Sequence, residues 1–302
     1  MNFPVTFLLL LTFMLCAAAS AVLIYPVRRI CVRLGIVDRP TTRSLHGEVV
    51  ARGVGLAMVI VCICSFLIIG ARLNDHAVLM LVPGSVILAA LSFFDDMKGV
   101  SAGLRLAVHL IVAFALLWML GFPKIQLTFD GAVIGQLGIA VSCTLGVIWL
   151  AGYANAFNFM DGINGLAAFQ AIFSSLALAV VIGLATGSWN SPVVFAAVSL
   201  SGAACGFLPY NFPQARVFMG DVGSITLGFC IAGLTLLAAL QHGFWLLPPL
   251  VLLQVNFILD TGITLIRRIM RGERCLEAHC EHFYQRLVRS GQSHTSVTLA
   301  YL

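Results

Sequence analysis

AVLMLVPGSVILAALSFFDD, residues 77–96, decides the fold: from Ala77 to Phe94 it carries no charge, and it then ends in two adjacent aspartates. A helix needs roughly 17 to 25 apolar residues to cross a bilayer, while acids near a membrane are costly to place. The stretch reads as a spanning helix with chemistry at its end. Outward from it, similar apolar runs occupy 7–24, 54–69, 104–122, 134–154, 166–184, 191–208, 225–240 and 244–266. With 60% hydrophobic residues, 10% charged and a mean hydropathy of +1.02, the composition excludes a water-soluble fold, in which about a quarter of residues are charged. The expectation is an all-α, polytopic integral membrane protein with about nine to ten transmembrane helices, in one domain spanning 1–302.

Residues 1–20 end in small side chains as a signal peptide does, but they lack a basic start and the apolar run continues to Ile24, so they read as the first span. The cysteines are scattered, with Cys62, Cys64, Cys143 and Cys230 inside apolar segments, where a thiol acts as a small hydrophobe. No disulfide framework is implied.

Basic residues collect in cytoplasmic loops. Arg28, Arg29, Arg33, Arg39, Arg43 and Arg52 precede the second span, Lys98 and Arg105 follow the third, and Arg216 follows the seventh; Arg267, Arg268, Arg271, Arg274, Arg286 and Arg289 follow the ninth. Only Arg72 and Lys124 fall on the other side. The amino terminus is expected outside and the basic face in the cytoplasm. The net charge of +5 then belongs mainly to one face, where it suits anionic headgroups and phosphorylated substrates. Nucleic acid is not an expected partner.

Asp95, Asp96, Asp161 and Asp221 all fall at span ends on that cytoplasmic side. Mg²⁺ prefers oxygen ligands, takes one or two carboxylates, and fills its shell with water and phosphate oxygens, so four acids on one face suggest a metal and phosphate site. Adjacent carboxylates such as Asp95 and Asp96 also repel, which raises one proton affinity and offers a base. Asn155, Asn158 and Asn164 surround Asp161 in NAFNFMDGINGLA (155–167). Their amides suit base recognition or neutral metal ligation, and Asn or Asp also suits a helix cap there.

Taken in order, PTTRSLHGEVVARGVGLA (40–57), FFDDMKGVSAGLRLAVH (93–109), NAFNFMDGINGLA, RVFMGDVGS (216–224) and HCEHFYQRL (279–287) resemble the polyprenyl-phosphate N-acetylhexosamine-1-phosphate transferase superfamily, glycosyltransferase family 4. The AHxEHxYQRL form of the last motif is most similar to the bacterial branch that initiates O-antigen or capsule synthesis. The resemblance implies a multi-pass enzyme of the bacterial inner (cytoplasmic) membrane, using Mg²⁺ or Mn²⁺, a UDP-linked N-acetylated hexosamine and undecaprenyl phosphate. Its products would be undecaprenyl diphosphate-linked sugar and UMP, in lipopolysaccharide or other cell-wall polysaccharide biosynthesis. It further implies Asp221 and Asn158 as metal ligands, Asp95, Asp96 and Asp161 as catalytic acids, and Arg105 facing the diphosphate. Phe218 and Asn164 would hold uracil with Asn155 beside them, and His279 and His282 would contact phosphate or sugar. Apart from the resemblance, Arg43, His46 and Arg52 in the first basic loop read either as a grip on substrate phosphate or as a positive-inside anchor. Gly99 stands where many relatives carry a third acid, and Asn164 replaces a common aspartate. Relatives run on into a further spanning helix after the stretch that here reads SHTSVTLAYL (293–302), so a final helix is expected to be lacking. A homodimer is left open.

Other readings carry less weight. Cys275, His279, Cys280 and His282 include zinc-binding residue types, but their spacing is not that of a closed site, and no zinc is expected. His109 reads as a satisfied interior histidine. Asp260 lies some seven residues before Arg267, about 10 Å into its helix at 1.5 Å per residue, either as a functional acid or as a polar clasp near Asn256 and Thr261. A transporter or a polyprenyl-lipid flippase is the alternative to an enzyme; it has no need of four surface acids.

Overall fold

The computed structural model describes residues 4–38, 49–129, 132–273 and 280–302. Among the described residues eight helices are long and apolar enough to cross a membrane: α1 (Val5–Arg33), α2 (Leu56–Leu73), α3 (His76–Lys98), α4 (Ala102–Met119), α5 (Ile139–Phe159), α6 (Leu166–Thr186), α7 (Pro192–Asn211) and α8 (Gly220–His242). Their starts follow local chemistry. Asp75 Oδ1 accepts the Val78 N–H at 2.9 Å to cap α3, and Ser101 Oγ accepts the Leu104 N–H at 3.4 Å to cap α4. Pro192 opens α7, where its missing N–H costs nothing.

The bundle is built around α8, whose residues from Gly220 to Ala239 are all buried, with α3 and α5 packed along it and α2, α6 and α7 completing the wall. In lipid no hydrophobic force drives helices together, so close backbone approach at small residues does the work. A Cβ on Gly228 would lie 2.9 Å from Ala154 Cα, one on Gly233 would strike Leu81, and one on Gly84 would strike the ring of Phe229. Gly202 and Gly206, four residues apart on α7, bring α1 in: a Cβ at Gly206 would sit 2.1 Å from the Ala17 carbonyl oxygen. The outer face of α1, with Leu10, Met14, Leu15 and Val22, is exposed and left for lipid.

The ninth span differs from the straight helix expected over 244–266. The segment Phe244–Leu252 and the helix α10 (Val255–Met270) are bent by 74° at a break, so the pair forms a ninth crossing only if taken together. Within the first part lies α9 (Leu247–Leu252), where Pro248 and Pro249 supply no N–H. Backbone groups freed in a membrane must be satisfied by protein. Here the Leu253 carbonyl accepts from Gln170 Nε2 at 3.0 Å and Ser174 Oγ at 3.4 Å, while Gln254 Nε2 donates to the Leu250 carbonyl and Thr235 Oγ1, both at 3.0 Å. Beyond the bend, α10 buries Phe257, Asp260, Thr261, Thr264 and Arg268 and exposes Leu259, Ile263, Ile266, Ile269 and Met270. Two short helices follow, α11 (Phe283–Arg289) and α12 (His294–Ala300).

The all-α expectation holds for the spans but missed two small sheets. Strands β1 (Val37–Asp38) and β2 (Val50–Ala51) pair antiparallel, Val37 opposite Ala51. Strands β3 (Gln126–Phe129) and β4 (Ala132–Gln136) form a hairpin between α4 and α5. Residues 134–136 of β4 fall where the apolar pattern reads the start of the 134–154 span, and α5 begins only at Ile139. The adjacent exposed side chains of Val133 and Ile134 belong to this sheet and resemble a spanning run in composition alone.

Candidate active site

One end of the bundle gathers the carboxyl end of α3, the amino ends of α4 and α8, and the turn after α5. A three-part backbone junction sets its geometry. Ala51 pairs with Val217 in a parallel bridge, the Phe218 N–H donates to the Ala51 carbonyl at 2.8 Å, and Val54 and Gly55 donate to the Phe218 and Met219 carbonyls at 3.1 and 3.0 Å. This zipper joins ARGVG (51–55) to FMGDVG (218–223), placing Arg52 against Asp221 across 169 residues of sequence.

Three carboxylates and two guanidiniums then interlock. Arg52 donates from Nε to Asp96 Oδ1 at 2.9 Å and from Nη2 to Asp221 Oδ1 at 2.7 Å. Arg105 Nη1 bridges Asp95 Oδ2 at 2.7 Å and Asp221 Oδ2 at 2.9 Å. Asp96 is further held by the Asp221 and Val222 N–H groups at 3.4 and 3.3 Å, at the amino end of α8, where a negative charge is favoured. Asp95 Oδ1 accepts the Val100 N–H at 2.5 Å. Two cations against three anions leave the centre one negative charge in excess. Burial opposes the Arg52 charge, yet Asp221 and then Asp96 hold its proton more tightly than an ordinary arginine. The Arg105 Nε is buried with no acceptor among the described residues.

Asp161 follows α5 on the turn beside this centre. Burial, with the Asp221 charge next in weight, pushes its carboxyl well above the usual carboxylate range, and Arg52 pulls the other way. Asn158, one turn earlier, accepts from Ser224 Oγ at 2.7 Å, and the same hydroxyl reaches the Gly220 carbonyl at 3.0 Å. Ser224 therefore couples the asparagine turn to the amino end of α8. Its signal lay in the last letter of GDVGS. The donor set fits a hard dication: carboxylates and an amide oxygen, all oxygen, with surplus negative charge. Among the described residues no three His, Cys, Asp or Glu side chains form a ready cage.

Several expected substrate contacts are placed differently. Asn155 spends its amide N–H groups on the Ala151 carbonyl at 2.7 Å and His109 Nδ1 at 2.9 Å, so it orients an interior histidine. His109 itself is not fully satisfied, because its buried Nε2 lacks a protein partner. Asn164 donates to the Pro213 carbonyl at 3.0 Å, and its own carbonyl accepts from Thr298 Oγ1 at 2.8 Å, tying the turn to 213 and to α12. His282 does not face an open surface: it is buried, with Nδ1 3.1 Å from Asp260 Oδ1. Arg52 meets carboxylates rather than standing alone as a phosphate grip. Phe218 is half-buried on the zipper. Arg43, His46, Cys275 and His279 lie outside the described residues.

Arg105→Ala strips Asp95 and Asp221 of a shared donor and is expected to lower kcat by about a hundredfold with a smaller change in KM. Steady-state kinetics would show it; a rise in KM alone would assign Arg105 to ground-state binding.

The structure is thus a polytopic helical bundle that gathers a carboxylate and arginine centre at one end. Residues 77–239 match the family described as glycosyl transferase family 4, and the chain belongs to that family. It is 30% identical over 282 residues to the probable undecaprenyl-phosphate N-acetylglucosaminyl 1-phosphate transferase of Bacillus subtilis, covering 91% of this chain and 76% of that protein. It is likewise 30% identical over 300 residues to the decaprenyl-phosphate N-acetylglucosaminephosphotransferase of Mycobacterium tuberculosis, covering 91% and 74%. Against the phospho-N-acetylmuramoyl-pentapeptide-transferase of Lactiplantibacillus plantarum it is 32% identical over 192 residues, covering 60% and 57%.

Proposed function

We propose that this chain transfers an N-acetylated amino sugar-1-phosphate from a UDP-sugar to undecaprenyl phosphate, giving the undecaprenyl diphosphate-linked sugar and UMP. The observation that carries this reading is the Asp95, Asp96 and Asp221 centre bridged by Arg52 and Arg105. It is charged to receive a diphosphate and a cation together, at the membrane surface where a lipid phosphate resides. The distribution of basic residues supports an outside amino terminus and a cytoplasmic site in the bacterial inner membrane, and the form of the last motif, HCEHFYQRL (279–287), supports a place at the start of O-antigen or another surface polysaccharide.

In this reading Arg52 and Arg105 turn from their carboxylates to the diphosphate oxygens, and Phe218 offers its ring to uracil. An oxygen of the lipid phosphate attacks the sugar-bearing phosphorus. The bond from that phosphorus to the bridging oxygen breaks, and UMP leaves with the electron pair. Any proton on the attacking phosphate passes to the Asp95 and Asp96 pair. Mg²⁺ or Mn²⁺, held by Asp221 with Asn158, would neutralise charge on the diphosphate and the leaving group.

Purified protein given undecaprenyl phosphate, UDP-N-acetylglucosamine or a related UDP-sugar, and Mg²⁺ is expected to release UMP. Excess UMP should drive the reaction backward, since one phosphoanhydride replaces another, and chelating the metal should stop it. Release of UDP, or turnover indifferent to chelation, would refute the mechanism.

A further inference from the structure

Asp260 is a buried acid with no place among the groups just described. Its carboxylate gathers donors from two segments beyond its own helix. Oδ1 accepts from the Phe283 N–H at 2.9 Å and lies 3.1 Å from His282 Nδ1, and Oδ2 accepts from the Tyr284 N–H at 3.1 Å and the Tyr301 hydroxyl at 2.6 Å. Thr264, one turn along α10, adds a long contact at 3.5 Å. The sequence offered a functional acid or a polar helix-to-helix clasp with Asn256 or Thr261 nearby; Asp260 clasps chiefly the chain after the ninth span.

What Asp260 holds then reaches the site. Tyr284 is fully buried, and its hydroxyl donates to the Phe159 carbonyl at 2.8 Å. A Cβ on Gly162 would lie 2.1 Å from that hydroxyl, so the tyrosine lies hard against the backbone on both sides of Asp161. The His282 ring stacks between Phe159 and Tyr284, with centroids 5.9 Å from each. Gln285 Nε2 donates to the Tyr284 hydroxyl at 3.1 Å. Farther on, Thr298 holds the Asn164 carbonyl at 2.8 Å, and Asn256 Nδ2 holds the Tyr301 carbonyl at 2.8 Å. The carboxyl-terminal segment is thus strapped across the 159–164 turn, with Asp260 as its buckle.

We propose that Asp260 is a positioning residue, which by fixing His282, Tyr284 and Tyr301 docks Tyr284 under the 159–162 turn and holds Asp161 in register with the carboxylate centre. This rests on the transfer reaction proposed above. Asp161 sits three residues after Asn158, which Ser224 Oγ ties at 2.7 Å to the amino end of α8 beside Asp221, so its placement matters: misplacement by about 1 Å can cost a hundredfold in rate. An amide at position 260 keeps one acceptor oxygen and puts an N–H₂ against backbone donors, so the docking loosens.

The test uses the full chain in lipid nanodiscs and reads backbone hydrogen exchange over 159–165 alongside steady-state kinetics. Asp260→Asn and Tyr284→Phe are each expected to speed exchange of the turn by about tenfold and to lower kcat by roughly 10- to 100-fold, with KM for the UDP-sugar within about twofold. Tyr301→Phe, which removes a single donor, should do less. Should Asp260→Asn not fold, Tyr284→Phe, which loses only a hydroxyl, decides alone. Unchanged exchange over 159–165 in the folded variants overturns the docking whatever the activity, and a loosened turn with unchanged kcat overturns the positioning role. A wild-type protein that makes no UMP would instead remove the proposed reaction, with exchange still reporting on the dock.

Discussion

Replacing Asp221 with asparagine is expected to lower sugar-phosphate transfer by roughly a thousandfold or more while leaving the protein folded in the membrane. Asp221 is the keystone of the centre: Oδ1 takes Arg52 and Oδ2 takes Arg105. The amide keeps the shape, but it offers one acceptor where two are used and presents an N–H₂ to a guanidinium. It also removes the one negative charge by which the carboxylates outnumber the arginines, the charge that would draw the proposed dication. Because Asp96 keeps its own bonds to Arg52 and to two backbone N–H groups, the zipper should survive. Turnover by purified variant and wild type at saturating substrates, with thermal unfolding as the control for folding, gives the answer. Wild-type turnover in Asp221→Asn would exclude this carboxylate from the chemistry.

Gly220→Ala should be the more damaging change to the structure. Gly220 sits at φ +70°, where a Cβ is strained, and that Cβ would lie 2.6 Å from both the Gly53 nitrogen and Asp96 Oδ2. Strain and overpacking together cost about 3 kcal/mol or more. Neither neighbour is a flexible side-chain end with room to move: one is backbone, the other a carboxylate fixed by Arg52 and α8. The same junction is tight at Gly55, where a Cβ would lie 2.6 Å from the Met219 carbonyl oxygen and 2.7 Å from Gly223 Cα. Prising 51–55 from 218–223 would carry Arg52 away from Asp221. The expected result is a large loss of detergent-stable protein, read by size exclusion and thermal unfolding, and turnover reduced at least as far as in Asp221→Asn in whatever remains folded. Gly99→Ala, also at positive φ but with nothing within 4 Å, is the control and should cost much less. Equal stability of the two variants would show that the zipper is not held by glycine contact.

The spanning helices were legible in the chain because a bilayer admits only long apolar runs, and 77–94 or 225–240 can hardly be read otherwise. Asp95, Asp96 and Asp221 stood out for the converse reason: a charge at the edge of such a run is costly without a purpose. Composition and spacing alone therefore determined a polytopic bundle with acids at its rim, and five ordered motifs pointed to the family. Tertiary structure decided the pairing. That Arg52 meets Asp221 and Asp96, that Leu253 breaks the ninth span over Gln170 and Ser174, and that Asp260 reaches past its own helix to His282 and Tyr284 are contacts between residues 22 to 169 apart in sequence or across a backbone bend. Such contacts depend on how closely glycine-lined backbones approach and on where freed carbonyls find donors, and neither leaves a local period to read.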